Sequence, residues 1–106
     1  MLSQTELATF NKELKGKQYD QLPIIFNALG DAVRCKIVRA LISKGKRDLS
    51  VNNIAEIMDI SQSSASQHLK ILELTGVVCK RSEGRHHFDN LNDSNPIVMA
   101  LVKAVM

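Results

Sequence analysis

Apolar residues recur three and four positions apart along most of the chain, the interval that places them on one side of an α-helix. Leu7, Phe10 and Leu14 form the first such stripe, with Ser3 as its N-cap and Gly16 as its end. After a polar break from Lys17 to Gln21, Pro23 stands at the first turn of a short apolar helix, Ile24 to Leu29, stopped at Gly30. Asp31 caps a third helix whose buried stripe is Val33, Ile37, Val38, Ala40 and Leu41, while Arg34, Lys36 and Arg39 lie largely elsewhere. Lys44 to Arg47 make a basic turn.

Ser50 opens a fourth helix with Val51, Ile54, Ala55 and Met58 on one face and Glu56 outward, and Asp59 and Ile60 form a tight connection. Ser61 caps a fifth, Gln62 to Thr75, with Ala65, Leu69, Ile71, Leu72 and Leu74 on its apolar side and Gly76 as a left-handed stop. The period then changes to two. Val77 to Arg81 predicts a strand, Ser82 to Gly84 a turn and Arg85 to Leu91 the returning strand of a β-hairpin. Asp93 to Pro96 start a last helix with Ile97, Val98, Leu101, Ala104 and Val105 on one face. The expected fold is mainly α with a small β-hairpin (α+β), one domain over residues 1–106.

Composition narrows the function classes. A chain of 106 residues suits one core, and with only four aromatics that core relies on aliphatic side chains, which favours helices. Nothing approaches the roughly 18 consecutive apolar residues of a spanning helix, and the first residues lack a leader's apolar run. A cytoplasmic protein with no membrane partner is the expectation. The formal charge of +3 is uneven: residues 1–30 cancel to zero, whereas residues 31–47 hold six cations and one acid. The basic excess is local, as an anionic partner would require.

Two short helices joined by a tight turn, the second opening in small hydrogen-bonding residues, have the geometry by which a helix-turn-helix places its second helix in the DNA major groove. Residues 50–75 supply it. Gln62, Ser63, Ser64, Ser66, Gln67 and His68 are the candidates to read or position the groove, with Ser61 at the helix start and Lys70 on phosphate. The hairpin, residues 77–91, gathers Lys80, Arg81, Arg85 and His86 around a glycine turn, a wing suited to the phosphate backbone or a minor groove.

These segments resemble the ArsR/SmtB family of bacterial winged helix-turn-helix transcription regulators. The likeness rests on Leu29 to Ile37, on Ile54 to Leu72, and on Thr75-Gly76-Val77-Val78 leading into Glu83-Gly84-Arg85, and covers about residues 24 to 91. It implies a homodimer held by the terminal helices (residues 1–15 and 95–106) that binds a palindromic operator and represses transcription until an inducer is sensed. Independently, the stripes Leu7/Phe10/Leu14 and Ile97/Leu101/Val105 need something to cover them.

The resemblance also implies where an effector would bind. Metal-sensing members carry a cysteine pair before the recognition helix, but here Asp48 to Ile54 offers Ser50 and Asn52; others use the last helix, yet Asn95 to Met106 contains no His, Asp, Glu or Cys. Neither a metal site nor a cofactor is expected. Cys35 and Cys79 are candidates for thiol control, Cys35 as a buried core thiol and Cys79 as a half-exposed one at the wing, while the family's persulfide-sensing position is occupied by Arg39. His86 and His87, adjacent on a strand, should face opposite ways. No phosphate loop or nucleophile motif is present, so an enzyme is not expected. The alternatives are a thiol-responsive repressor and a winged-helix protein-interaction module that does not bind DNA.

Overall fold

The computed structural model describes residues 1–106 as six helices and one hairpin: α1 (Gln4–Glu13), α2 (Gln18–Leu29), α3 (Ala32–Ser43), α4 (Val51–Met58), α5 (Gln62–Leu74), β1 (Val78–Glu83), β2 (His86–Leu91) and α6 (Pro96–Val105). Most helix starts are fixed by one local side chain. Ser3 and Glu6 form a reciprocal capping box, as do Ser50 and Asn53. Asp31 Oδ1 accepts from the N–H groups of Val33 and Arg34, at 2.9 and 3.0 Å. Ser61 Oγ accepts from Ser64, and Asn95 Oδ1 from Ile97 and Val98.

The helix-turn-helix pair ends each of its helices in the same way. At the end of α4, Asp59 takes φ +55° and the N–H groups of Ile60 and Asp59 donate to Ala55 and Glu56; at the end of α5, Gly76 takes φ +81° and Val77 and Gly76 donate to Leu72 and Glu73. Both are Schellman closures, which reverse the chain within two residues. The turn between α4 and α5 is tight because this closure runs directly into the Ser61 cap.

One cluster of 13 buried residues draws on every element except α1 and β2: Ile25 and Ala28 from α2, Ile37, Val38 and Leu41 from α3, Ile54 and Ala55 from α4, Ala65, Leu69 and Leu72 from α5, Val77 and Val78 at the hairpin root, and Val98 from α6; β2 adds the half-buried Leu91 at its edge. Burying each large aliphatic stabilises the fold by roughly 1.5–3 kcal/mol. The hairpin pairs Val78 with Leu91 through Glu83 with His86. Its turn is therefore Gly84-Arg85, with positive φ at Gly84 alone, the pattern of a type II′ turn.

Four expectations are corrected. The break at Lys17 to Gln21 is largely helical: α2 begins at Gln18 and Pro23 lies inside it. Pro23 removes the bond its N–H would give Tyr19, a loss the exposed face of α2 tolerates because water reaches it. Ile71 and Leu74 are exposed, Leu74 by 76%, so the sealed stripe of α5 is the narrower set Ala65, Leu69 and Leu72. Arg85 belongs to the turn rather than to the returning strand. Cys35 is half-buried rather than fully buried.

The molecule is long, 58 × 25 × 21 Å, with a radius of gyration of 17.2 Å where a compact chain of this size would have about 13 Å. The cause is α1, which buries none of its residues and leaves Leu7, Phe10 and Leu14 exposed.

Candidate nucleic-acid interface

α5 is split lengthwise. Ala65, Leu69 and Leu72 are sealed in the core, and Gln62, Ser63, Ser66, Gln67 and Lys70 stand exposed on the opposite side. Spacing of three and four residues places these five on one continuous polar face, with side chains short enough in the first two turns for the backbone to approach a partner. Ser61 and Ser64 belong to the start of the helix instead: the Ser61 hydroxyl accepts from the Ser64 N–H, and the Ser64 side chain is half-buried.

His68 does not share the polar face. Its ring, 21% exposed, turns back toward the α2–α3 junction, with Nδ1 3.4 Å from Arg34 Nη1 and 3.9 Å from Asp31 Oδ1. A guanidinium can only donate, so the Arg34 contact requires an unprotonated Nδ1. Arg34 Nε in turn donates to the Ala28 carbonyl at 2.7 Å. The Arg34 N–H holds the Asp31 carboxyl below its ordinary value; desolvation works against it, and the Arg34 charge and the Val33 N–H add to the lowering. These three residues pin α5 to the body from behind. Periodicity alone groups His68 with its polar neighbours; the distant partners Asp31 and Arg34 decide its direction.

The wing's cations divide similarly. Arg81 Nη2 donates to Asp48 Oδ1 at 2.7 Å, its Nε lies 3.6 Å from Glu83, and its guanidinium sits 5.3 Å from the centre of the Phe88 ring. Arg81 thus ties the wing to the loop before α4, and its charge is balanced by two acids. Lys80, half exposed, lies 3.8 Å from Glu73 of α5. Arg85, at the tip, is exposed and has no acid within 4.0 Å. His86 stacks on Phe88, and His87 exchanges a 2.8 Å hydrogen bond with Ser82 on the other face of the ribbon, so the two imidazoles do point apart. A cleft of about 190 Å³ between the start of α4 and the wing is lined by Ser50, Asn52, Gln62, Arg85, His86 and His87, among others. It brings the first turn of α5 and the wing tip to one surface.

The basic run between Arg34 and Arg47 is largely engaged within the protein. Arg39 donates to the Met106 carbonyl, Lys44 to the Arg47 carbonyl, and Arg47 to the carbonyls of Ser43 and Lys44, where it caps the end of α3. Cys35 and Cys79 are free thiols, the second exposed on β1 opposite Asn90.

Asp48, the acid that fixes Arg81, and Asp89, an acid buried in β2, are not singled out by the sequence. The first is invisible without the tertiary fold. The second has a signal, since strand alternation places it on the face that leads down to Leu91.

Comparison with known proteins agrees with this arrangement. A family described as a helix-turn-helix domain matches residues 29–81. The arsenical resistance operon repressor of Bacillus subtilis is 35% identical over 73% of this chain and 69% of its own length. A cadmium resistance transcriptional regulatory protein CadC homolog of Staphylococcus aureus is 35% identical over 67% of this chain, which spans only 57% of that protein. Among solved structures, HlyU from Vibrio cholerae superposes with a TM-score of 0.70 at 28% identity, over 82% of this chain and 89% of that one. With α4, α5 and the wing in the expected order, the chain belongs to the ArsR family of winged helix-turn-helix transcriptional regulators.

Proposed function

We propose that the protein is a homodimeric repressor that reads double-stranded operator DNA with α5 and grips the DNA backbone with its wing. The observation that supports this best is the lengthwise division of α5, with Gln62, Ser63, Ser66, Gln67 and Lys70 free to face a groove while the helix is anchored from behind. Gln62 and Gln67 can pair bidentately with adenine, the serines reach base edges or phosphates, and Lys70 reaches a phosphate. Arg85 is the wing's phosphate contact, beside a cleft able to seat the backbone. Lys80, with half its side chain exposed, adds to it. Arg81 and His68 act as positioning residues that hold the wing and α5 in place.

Ile97 and Leu101, expected at the seam, pack half-buried on the chain's own core instead, so two copies would cover Leu7, Phe10 and Leu14 of α1 and Val105 at the end of α6. They would present two reading helices to half-sites about one helical turn, roughly 34 Å, or a multiple of it apart on a palindromic operator. The relatives' names speak of cadmium and arsenical resistance. Here the Ser50 hydroxyl closes a helix cap in the segment where a thiolate pair would be required, so loss of binding on adding cadmium or arsenite is not expected.

The test is to select bound duplexes from genomic fragments with the purified protein and to titrate one of them at several salt concentrations. Arg85→Glu should weaken binding to every sequence and lower the salt slope by about 1, whereas Gln67→Ala should change preference at one base pair by roughly 1–3 kcal/mol. Unaltered affinity of Arg85→Glu at all salt concentrations sinks the wing assignment. If the parent protein retains no duplex, the interaction-module alternative stands instead.

A further inference from the structure

Asp89 is the one charged residue buried in the protein, 2% exposed, and its Oδ1 has no hydrogen-bond partner. An isolated carboxylate in such a place is costly, so its neighbours matter. In the β1–β2 ladder Asp89 stands opposite Lys80, on the face that continues to the Val78–Leu91 pair at the core. Glu73, on the last turn of α5, reaches the same spot: its side chain is 21% exposed and its Oε1 lies 3.8 Å from Lys80 Nζ. Two carboxyls and one ammonium therefore meet where the wing leaves the body. Of the cations of α3, which also packs on β2, Arg34 donates to the Ala28 carbonyl, Arg39 donates to the Met106 carbonyl, and Lys36 is exposed.

Two carboxylates against one ammonium leave a negative charge in excess where little water reaches, and one proton removes it. Burial raises the Asp89 carboxyl most, a proton shared with Glu73 and the Glu73 charge raise it further, and Lys80 offsets only part, so the group is pushed up to about 7. A proton held between the two acids also supplies the partner that Oδ1 lacks.

We propose that Glu73, Lys80 and Asp89 form a proton-operated latch between the recognition helix and the wing. With one proton shared by the acids, the hairpin docks on α5 through β1, with Asp89 of β2 held behind Lys80; once that proton leaves, the buried charge forces the hairpin root away from the helix. The latch touches no DNA but sets the angle between the two elements that would. Its effect on DNA rests on the reading of α5 and the wing given above, whereas the latch itself is observable in the free protein.

The sign follows from linkage. The Asp89 carboxyl is raised above its ordinary 3.8, so between about 4 and about 7 the folded protein keeps a proton that the unfolded chain has lost. The stability it contributes is fully present below about 4, falls as pH rises through that window and is level above it. His86 and His87, exposed on the wing, are a separate source of pH-dependent DNA binding, so the first readout is made without DNA.

The experiment follows the Asp89 carboxyl carbon by NMR across pH in the full chain, and the thermal midpoint of the parent, Asp89→Asn and Glu73→Gln over the same range. The Asp89 signal should move near pH 7 in the parent and at lower pH in Glu73→Gln. The parent's midpoint should fall from about pH 4 to about pH 7 relative to that of Asp89→Asn. Its affinity for a selected duplex should drop, relative to Asp89→Asn, by up to roughly tenfold per pH unit above about 7. An Asp89 signal moving near pH 4 overturns the latch, and that titration decides the matter even if Asp89→Asn fails to fold. So does a constant affinity ratio between parent and variant across pH. If the parent binds no duplex at any pH, the DNA reading has failed, and the carboxyl titration alone then supports or overturns the latch.

Discussion

Arg81 and Arg85 are four positions apart on one hairpin and carry the same charge, yet their surroundings assign them different work. Arg81 faces Asp48 and Glu83 and covers Phe88; Arg85 faces water. Counterion release on DNA binding scales with the charge that meets phosphate, and a cation already paired with two acids contributes little to it. Arg85→Ala should therefore reduce the salt slope by about 1, and Arg81→Ala by much less. Exposed ion pairs contribute only about 0–1 kcal/mol, so neither change should unfold the protein. Salt-titrated binding of the two variants to a common duplex measures the difference; equal slopes would remove the distinction drawn between them.

Helix ends are where the sequence is most legible, because a cap is a local event. Ser3, Asp31, Ser50 and Ser61 each act within three residues of themselves, and the structure places a helix start at all four. The same holds for Gly76, whose φ of +81° admits the Schellman closure of α5. Gly76→Ala should destabilise the protein by roughly 1–2 kcal/mol, read as a lowered urea midpoint with an unchanged m value. Its added Cβ would meet nothing closer than 3.7 Å, so the cost is conformational rather than a clash. What escapes sequence reasoning depends on partners far along the chain. Pro23 reads as a helix start because proline favours the first turn, and α2 nevertheless begins five residues earlier. His68 reads as part of a polar face until Arg34, 34 positions away, turns it inward. Leu74 reads as core and is 76% exposed, since the stripe of α5 is sealed by the hairpin root only as far as Leu72. Of the candidate interface, the exposed residues of α5 and the tip of the wing are legible, and the side chains that orient them are not.

At the scale of the whole molecule, the core and the proposed reading head lie in residues 18–106, and α1 stands outside both. Removing residues 1–15 should leave the far-UV helical signal of the remaining elements and their cooperative unfolding intact. It should abolish the dimer in sedimentation velocity and weaken binding to a two-half-site duplex far more than to a single half-site. A truncated chain that still sediments as a dimer would assign the seam to α6 alone.

The uncovered α1 also ties shape to abundance. Ten residues are too few for a lone helix to hold firmly in water, and this one receives nothing from its own core. In the proposed dimer, α1 becomes firmly ordered only when a second chain arrives, and pairing rises with the square of monomer concentration when monomers predominate. Helical content at fixed temperature should then grow on raising the protein concentration. In the cell, occupancy of the operator would respond more steeply than linearly to the number of chains made, so a modest change in synthesis could move the regulated promoter between open and closed.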